Sequence, residues 1–99
     1  MLVITGTVRI PGGAMEAVRP VVQELIEASR QEQGCLLYAF SLDVLDPTLI
    51  HITEQWESWD HLKAHAATEH YVRWRAAGKE LGIYDRKVQV HTVSETKDI

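Results

Sequence analysis

Residues 35–57 read CLLYAFSLDVLDPTLIHITEQWE, and the fold turns on this stretch. Two runs rich in Leu, Ile, Tyr and Phe, Cys35 to Val44 and Thr48 to Glu57, flank Asp46-Pro47. Pro presets a turn and cannot donate to a strand ladder, and Asp favours turns through its own side chain. The stretch is therefore expected to be a β-hairpin. In the second run, alternation puts Ile50, Ile52, Glu54 and Trp56 on one face. In the first, both faces are apolar: Leu36, Tyr38, Phe40 and Leu42 on one, Cys35, Leu37 and Ala39 on the other. A sheet with helices on one side and water on the other keeps one polar face, so a second apolar face points to a packing partner.

Working outward, Leu2 to Ile10 alternates, with Leu2, Ile4, Val8 and Ile10 on one side, and Pro11-Gly12-Gly13 stops the strand. Ala14 to Gln33 reads as a helix with Val18, Val22, Leu25 and Ser29 on one stripe. Pro20 within it is expected either to kink the helix or to mark a later start near Arg19. Gly34 is its expected stop. After the hairpin, Ser58 reads as the N-cap of a short helix from Trp59 to Ala66, and Thr68 as the cap of another from Glu69 to about Leu81. Asp85 to Val93 is a last strand with Val88, Val90 and Thr92 on one face. The order β-α-β-β-α-α-β, with a right-handed first crossover, predicts an α+β ferredoxin-like fold, a four-stranded antiparallel sheet with helices on one side.

The 99 residues, 45% apolar and 24% charged, fit a single soluble domain spanning 1–99. A chain this short is marginal alone, which favours a homodimer. The net charge of -4 and the scattered basic residues exclude the basic face that nucleic acid requires. No apolar run approaches the roughly 20 residues that span a bilayer. Met1 to Ile4 lacks the charged lead of a signal peptide. Cys35 is the only cysteine, so no internal disulfide is expected and a reducing cytoplasm is the expected location.

Five histidines carry the first chemical question. His61 and His65 lie at i and i+4, a zinc-compatible spacing, but the run His-Leu-Lys-Ala-His has no Glu beside its first His, and no Asp or Cys is placed to complete a site. No metal is expected. A neutral imidazole suits proton abstraction near neutral pH, which makes His65 and His70 the candidate bases. Glu54, on the face of Ile50, Ile52 and Trp56, is a carboxylate that burial would oblige to find a partner. That partner serves either catalysis or a structural tie between strand and helix. Tyr38, Phe40, Trp56, Tyr71 and Trp74 are core mass or, for a subset, the lining of a flat aromatic pocket. Cys35 has no local base and no electropositive setting, so it is not expected to be a nucleophile. No phosphate loop, nucleophile elbow or dinucleotide fingerprint is present, and no cofactor is expected.

Two blocks carry a resemblance: Glu-Gln-Gly-Cys-Leu-Leu-Tyr at 32–38, and Glu54-Gln55-Trp56-Glu57-Ser58 followed by His61-Leu62, Ala64-His65, Thr68 and His70. With the β-α-β-β-α-α-β order, the chain resembles the antibiotic biosynthesis monooxygenase family in its quinol-monooxygenase-like branch. The resemblance implies a dimeric α+β barrel and a pocket between each sheet and its own helices. It implies oxidation of a small cyclic or polycyclic phenol or quinol by O₂ without metal or flavin. It also leaves a related isomerase acting on a signalling molecule, or a non-catalytic ligand-binding dimer, as alternatives. The sequence has no asparagine, so the Asn-dependent haem chemistry of some relatives is not expected here.

Overall fold

The structure, a computed structural model, describes residues 1–99. Its elements are β1 (Leu2–Arg9), α1 (Met15–Arg30), β2 (Cys35–Leu42), β3 (Leu49–Trp56), α2 (Trp59–Ala66), α3 (Glu69–Glu80) and β4 (Tyr84–Thr92). The strands form one antiparallel sheet in the order β2-β3-β1-β4, the ferredoxin-like arrangement. The core lies between the sheet and the helices. Leu2, Ile4, Val8, Ile50, Ile52, Trp56 and Tyr38 from the strands meet Val18, Val22 and Leu25 of α1 and Trp74 of α3. No helix is long and apolar enough to cross a membrane.

The helical stripe Val18, Val22, Leu25 and Ser29 is the buried face of α1. The helix starts at Met15, not near Arg19, and runs through Pro20. Pro20 is exposed, so its missing N–H costs one ladder bond on the solvent side and its ring meets no core atom. The helix ends at Arg30, three residues before the expected Gln33, because the chain turns at once into β2. The Cys35 N–H bonds to the Glu32 carbonyl at 3.2 Å, and Gly34 takes a φ of +84°. A Cβ at Gly34 would stand 2.2 Å from Cγ of His61, so only glycine lets α2 pack over this turn. The caps of the two later helices are as expected, the hydroxyls of Ser58 and Thr68 accepting from the N–H groups of His61 and Tyr71.

The expected two-faced apolar character of β2 needs correction. Cys35 pairs with Trp56 and Leu37 with Gln55, so Leu36 is an extra residue in a bulge. The bulge reverses the alternation for what precedes it. Cys35 joins Tyr38 on the helix side and Leu36 is half exposed. The outer face of the sheet therefore carries Val3, Leu37 and Ala39 among Thr5, Thr53, Gln55, Gln89 and His91, and is more polar than β2 alone suggests. A second close contact, unannounced by any motif, lies between β1 and β4. A Cβ on Gly6 would fall 2.3 Å from the Lys87 carbonyl oxygen.

Candidate active site

β3 is the strand that builds the site. Its inward residues Ile50, Ile52, Glu54 and Trp56 are all buried, as alternation requires. Glu54 is thus a carboxylate in the core, 7% exposed. Its Oε1 accepts a hydrogen bond from Nε1 of Trp56 at 2.9 Å. Burial pushes its carboxyl above the ordinary range, against the Trp56 hydrogen bond and the charge of Arg86. Glu54 faces a cleft of about 160 Å³ between β4 and the α2–α3 corner. Ile4, Leu62, Val88 and Val90 are its apolar walls, and Glu54, His65, Tyr71 and Arg86 its main polar groups.

His65, in the last turn of α2, is 1% exposed and reaches this cleft. Its Nδ1 lies 2.5 Å from Oε2 of Glu32, and Nε2 of His70 lies 2.9 Å from the same oxygen. A carboxylate only accepts, so both imidazoles donate to Glu32. Nδ1 of neutral His65 therefore carries the proton and Nε2 is the acceptor. The Tyr38 hydroxyl donates to that Nε2 across 3.4 Å, a long bond. Burial, followed by the charge of Glu54, pushes the Tyr38 phenol well above its ordinary range and keeps the proton on it. Burial also lowers the His65 pKa, Glu32 opposing. The imidazole is thus neutral at pH 7, packed between Trp56 and Tyr71 with ring centroids 4.7 and 5.0 Å away.

Of the residues singled out in the sequence, Glu54 and His65 meet at the cleft. His70 connects to His65 through Glu32. Trp56 is fully buried and holds Glu54 from behind. Tyr38 is buried against His65. Trp74 lines a neighbouring pocket beneath α3, and Phe40 lines a groove of about 460 Å³ between α1 and β2. That larger groove has no histidine and no buried carboxylate, so size and chemistry lie apart. His61 turns away from His65, its Nδ1 lying 2.8 Å from Oγ of Ser58. Burial, with Glu32 and Glu54 nearby, raises the Cys35 thiol pKa and disfavours the thiolate.

Tyr71, one of the aromatic candidates, lines the cleft, and two participants were not singled out from the sequence: Glu32 and Arg86. Glu32 stands in the quoted block at 32–38, but nothing local distinguishes it from the other polar residues at the end of α1. Glu32, His65 and His70 also place three donor atoms within 4.8 Å of one another. This two-histidine, one-carboxylate set could hold a divalent cation in place of the two shared protons.

The profile of the antibiotic biosynthesis monooxygenase family matches residues 1–77. A solved protein of Deinococcus radiodurans, provisionally described as an antibiotic biosynthesis monooxygenase, is 29% identical, with a TM-score of 0.93 over 100% of this chain and 98% of that one. A solved protein of Pseudomonas aeruginosa is also 29% identical, with a TM-score of 0.85 over 95% of this chain and 94% of its own. An uncharacterized protein of Synechocystis is 22% identical over 98 residues, 99% of this chain and 67% of the relative.

Proposed function

Because the chain belongs to the antibiotic biosynthesis monooxygenase family, we propose that it oxidises a small phenol- or quinol-type aromatic with O₂ in the cleft bounded by Glu54, His65, Tyr71 and Arg86. One observation carries this reading. Glu32 holds the Nδ1 proton of a buried, neutral His65 that lines the cleft, which leaves Nε2, beside the Tyr38 hydroxyl, as the ring's acceptor. A substrate hydroxyl that replaces Tyr38 at Nε2 gives up its proton there. Glu32 then stabilises the imidazolium, the role of the aspartate in a Ser-His-Asp triad. The resulting phenolate is electron-rich enough to reduce O₂. One oxygen atom forms a new C–O bond on the ring and the other leaves as water with the two hydrogens the ring system loses. For a hydroquinone the product is a hydroxyquinone, and every electron O₂ takes up comes from the substrate. The reaction therefore calls for no outside reductant.

An apolar cavity of roughly 150 Å³ is known to take benzene, so a cleft of about 160 Å³ suits one ring better than a fused polycycle. The same reading places a second copy of the chain against the outer sheet face around Leu37, Ala39 and Thr53. Sedimentation at micromolar concentration is expected to give a dimer, and a monomer alone would remove that part. The test of function is oxygen uptake with hydroquinones in heavy-oxygen gas. The expected result is one labelled oxygen in the hydroxyquinone and one in water. Tight binding without oxygen uptake favours a ligand-binding dimer, and an isomerised product favours the isomerase alternative.

A further inference from the structure

Beside the cleft, beneath the C-terminal half of α3, lies a second pocket of about 150 Å³. Its floor is Val8, Trp74, Gly78 and Ile83, and its rim is Arg75, Lys79 and Arg86. Three cations and no acid line one small pocket in a chain that carries 14 acidic and 10 basic residues. None of the three rim cations is in an ion pair, although Arg86 acts on Glu54 through its charge, whereas four of the other seven basic residues are paired. Arg9 pairs with Asp46 and Asp85, Arg73 with Glu24 and Glu69, Lys87 with Asp85, and Lys97 with Glu95. Asp85, next to Arg86 in sequence, takes a φ of +52° and is engaged by Arg9 and Lys87 instead.

The helix register explains the arrangement. Tyr71, Arg75 and Lys79 follow one another at i+4 along α3, so a single helical face runs over both cavities. Tyr71 lines the cleft, Arg75 and Lys79 line the pocket, and Arg86 on β4 borders both. Nη1 of Arg75 donates to the Tyr71 hydroxyl at 3.0 Å, which ties the guanidinium to the cleft wall. Gly78 leaves the floor open, since a Cβ there would enter the space 3.8 Å from Ile83.

We propose that this pocket is an anion subsite, and that the substrate's ring lies in the Glu54–His65 cleft with an acidic substituent between Arg75, Lys79 and Arg86. The ligand class is a single-ring phenol or quinol bearing a carboxylate or phosphate on a short arm. Guanidinium forks match either group, and lysine adds a mobile charge. The proposal rests on the ring site of the proposed function, and its test reads binding separately from turnover.

The probes are 2,5-dihydroxyphenylacetate and its neutral amide, titrated calorimetrically without oxygen into the wild-type protein and into the combined Arg75→Gln, Lys79→Gln, Arg86→Gln variant. All three side chains are exposed, so the variant is expected to fold, and circular dichroism checks it. The acid is expected to bind about tenfold or more tightly than the amide, the scale of a charge-assisted hydrogen bond. That preference should shrink with added salt and vanish in the variant. The phosphonate on the same ring, run alongside, names the substituent by whichever anion binds more tightly. Equal binding of acid and amide, binding of neither, or a preference that survives the triple variant overturns the subsite. Oxygen uptake then separates the two ideas. Selective binding of the acid without oxidation keeps the subsite and removes the monooxygenase reading. Oxidation of the acid and the amide with equal affinity does the reverse.

Discussion

Histidine meets carboxylate at two places in the molecule, in opposite surroundings. His51 and Asp43 meet at 2.8 Å on the hairpin, with side chains 44% and 28% exposed. His65 and Glu32 meet at 2.5 Å under α2, with side chains 2% and 15% exposed. On the hairpin the His51 hydrogen bond lowers the Asp43 carboxyl, and water screens the rest. In the core, burial acts first and lowers the imidazole, while Glu32 pulls the other way. The same contact is thus screened by water at one place and stripped of it at the other. The difference lies in what surrounds the pair: Trp56, Tyr71 and Tyr38 exclude water from His65.

The sharpest test of this contrast is removal of each imidazole. His65→Ala is expected to lose about 10² to 10⁴ in turnover, the usual worth of a general base, with the fold retained by circular dichroism. His51→Ala should leave turnover at the wild-type rate. Equal loss in both variants would break the comparison.

Glu32→Gln comes next. The amide still accepts from Nδ1 of His65 but carries no charge to stabilise the imidazolium. Turnover is expected to fall by about 10². Because Glu32 raises the His65 pKa, the acid limb of kcat/KM should move to lower pH. An unmoved limb would mean that Glu32 only holds structure. Asp43→Asn should alter neither value.

Stability against pH gives a smaller effect whose sign differs for the two buried groups. The lowered His65 pKa contributes stability that is complete above about 6.5, the unfolded value. It is lost as pH falls below that toward the folded value. The raised Glu54 carboxyl does the opposite, since its contribution is present below 4.5 and lost as pH rises through the folded value. Denaturant titrations between pH 5 and 7 are expected to show wild-type stability rising with pH more steeply than that of His65→Gln. Parallel curves would show that His65 is not held neutral by the fold.

The smallest expected change is Gly78→Ala. Its Cβ makes only an ordinary contact with Ile83, so helix propensity should add about 0.5–1 kcal/mol of stability. The added methyl intrudes on the floor of the cationic pocket, so the variant should melt higher yet bind an acidic quinol less well. A gain in both would argue that the pocket is not used.

The sequence by itself determined the order of strands and helices, the inward stripes Leu2-Ile4-Val8 and Val18-Val22-Leu25, the two hydroxyl caps and the burial of Glu54. These follow from periods of 2 and 3.6 residues and from cap chemistry, which act over one or two turns of chain. Only the tertiary structure decided the rest. The Leu36 bulge moved Cys35 to the helix side because β3 set the register. The need for Gly6 came from β4, and that for Gly34 from α2. Glu32 became the partner of His65, 33 residues away, and of His70, 38 residues away. The cationic pocket drew Arg75 and Lys79 from α3 and Arg86 from β4. No local pattern records such contacts, because each depends on where two distant segments cross once the sheet and helices have packed.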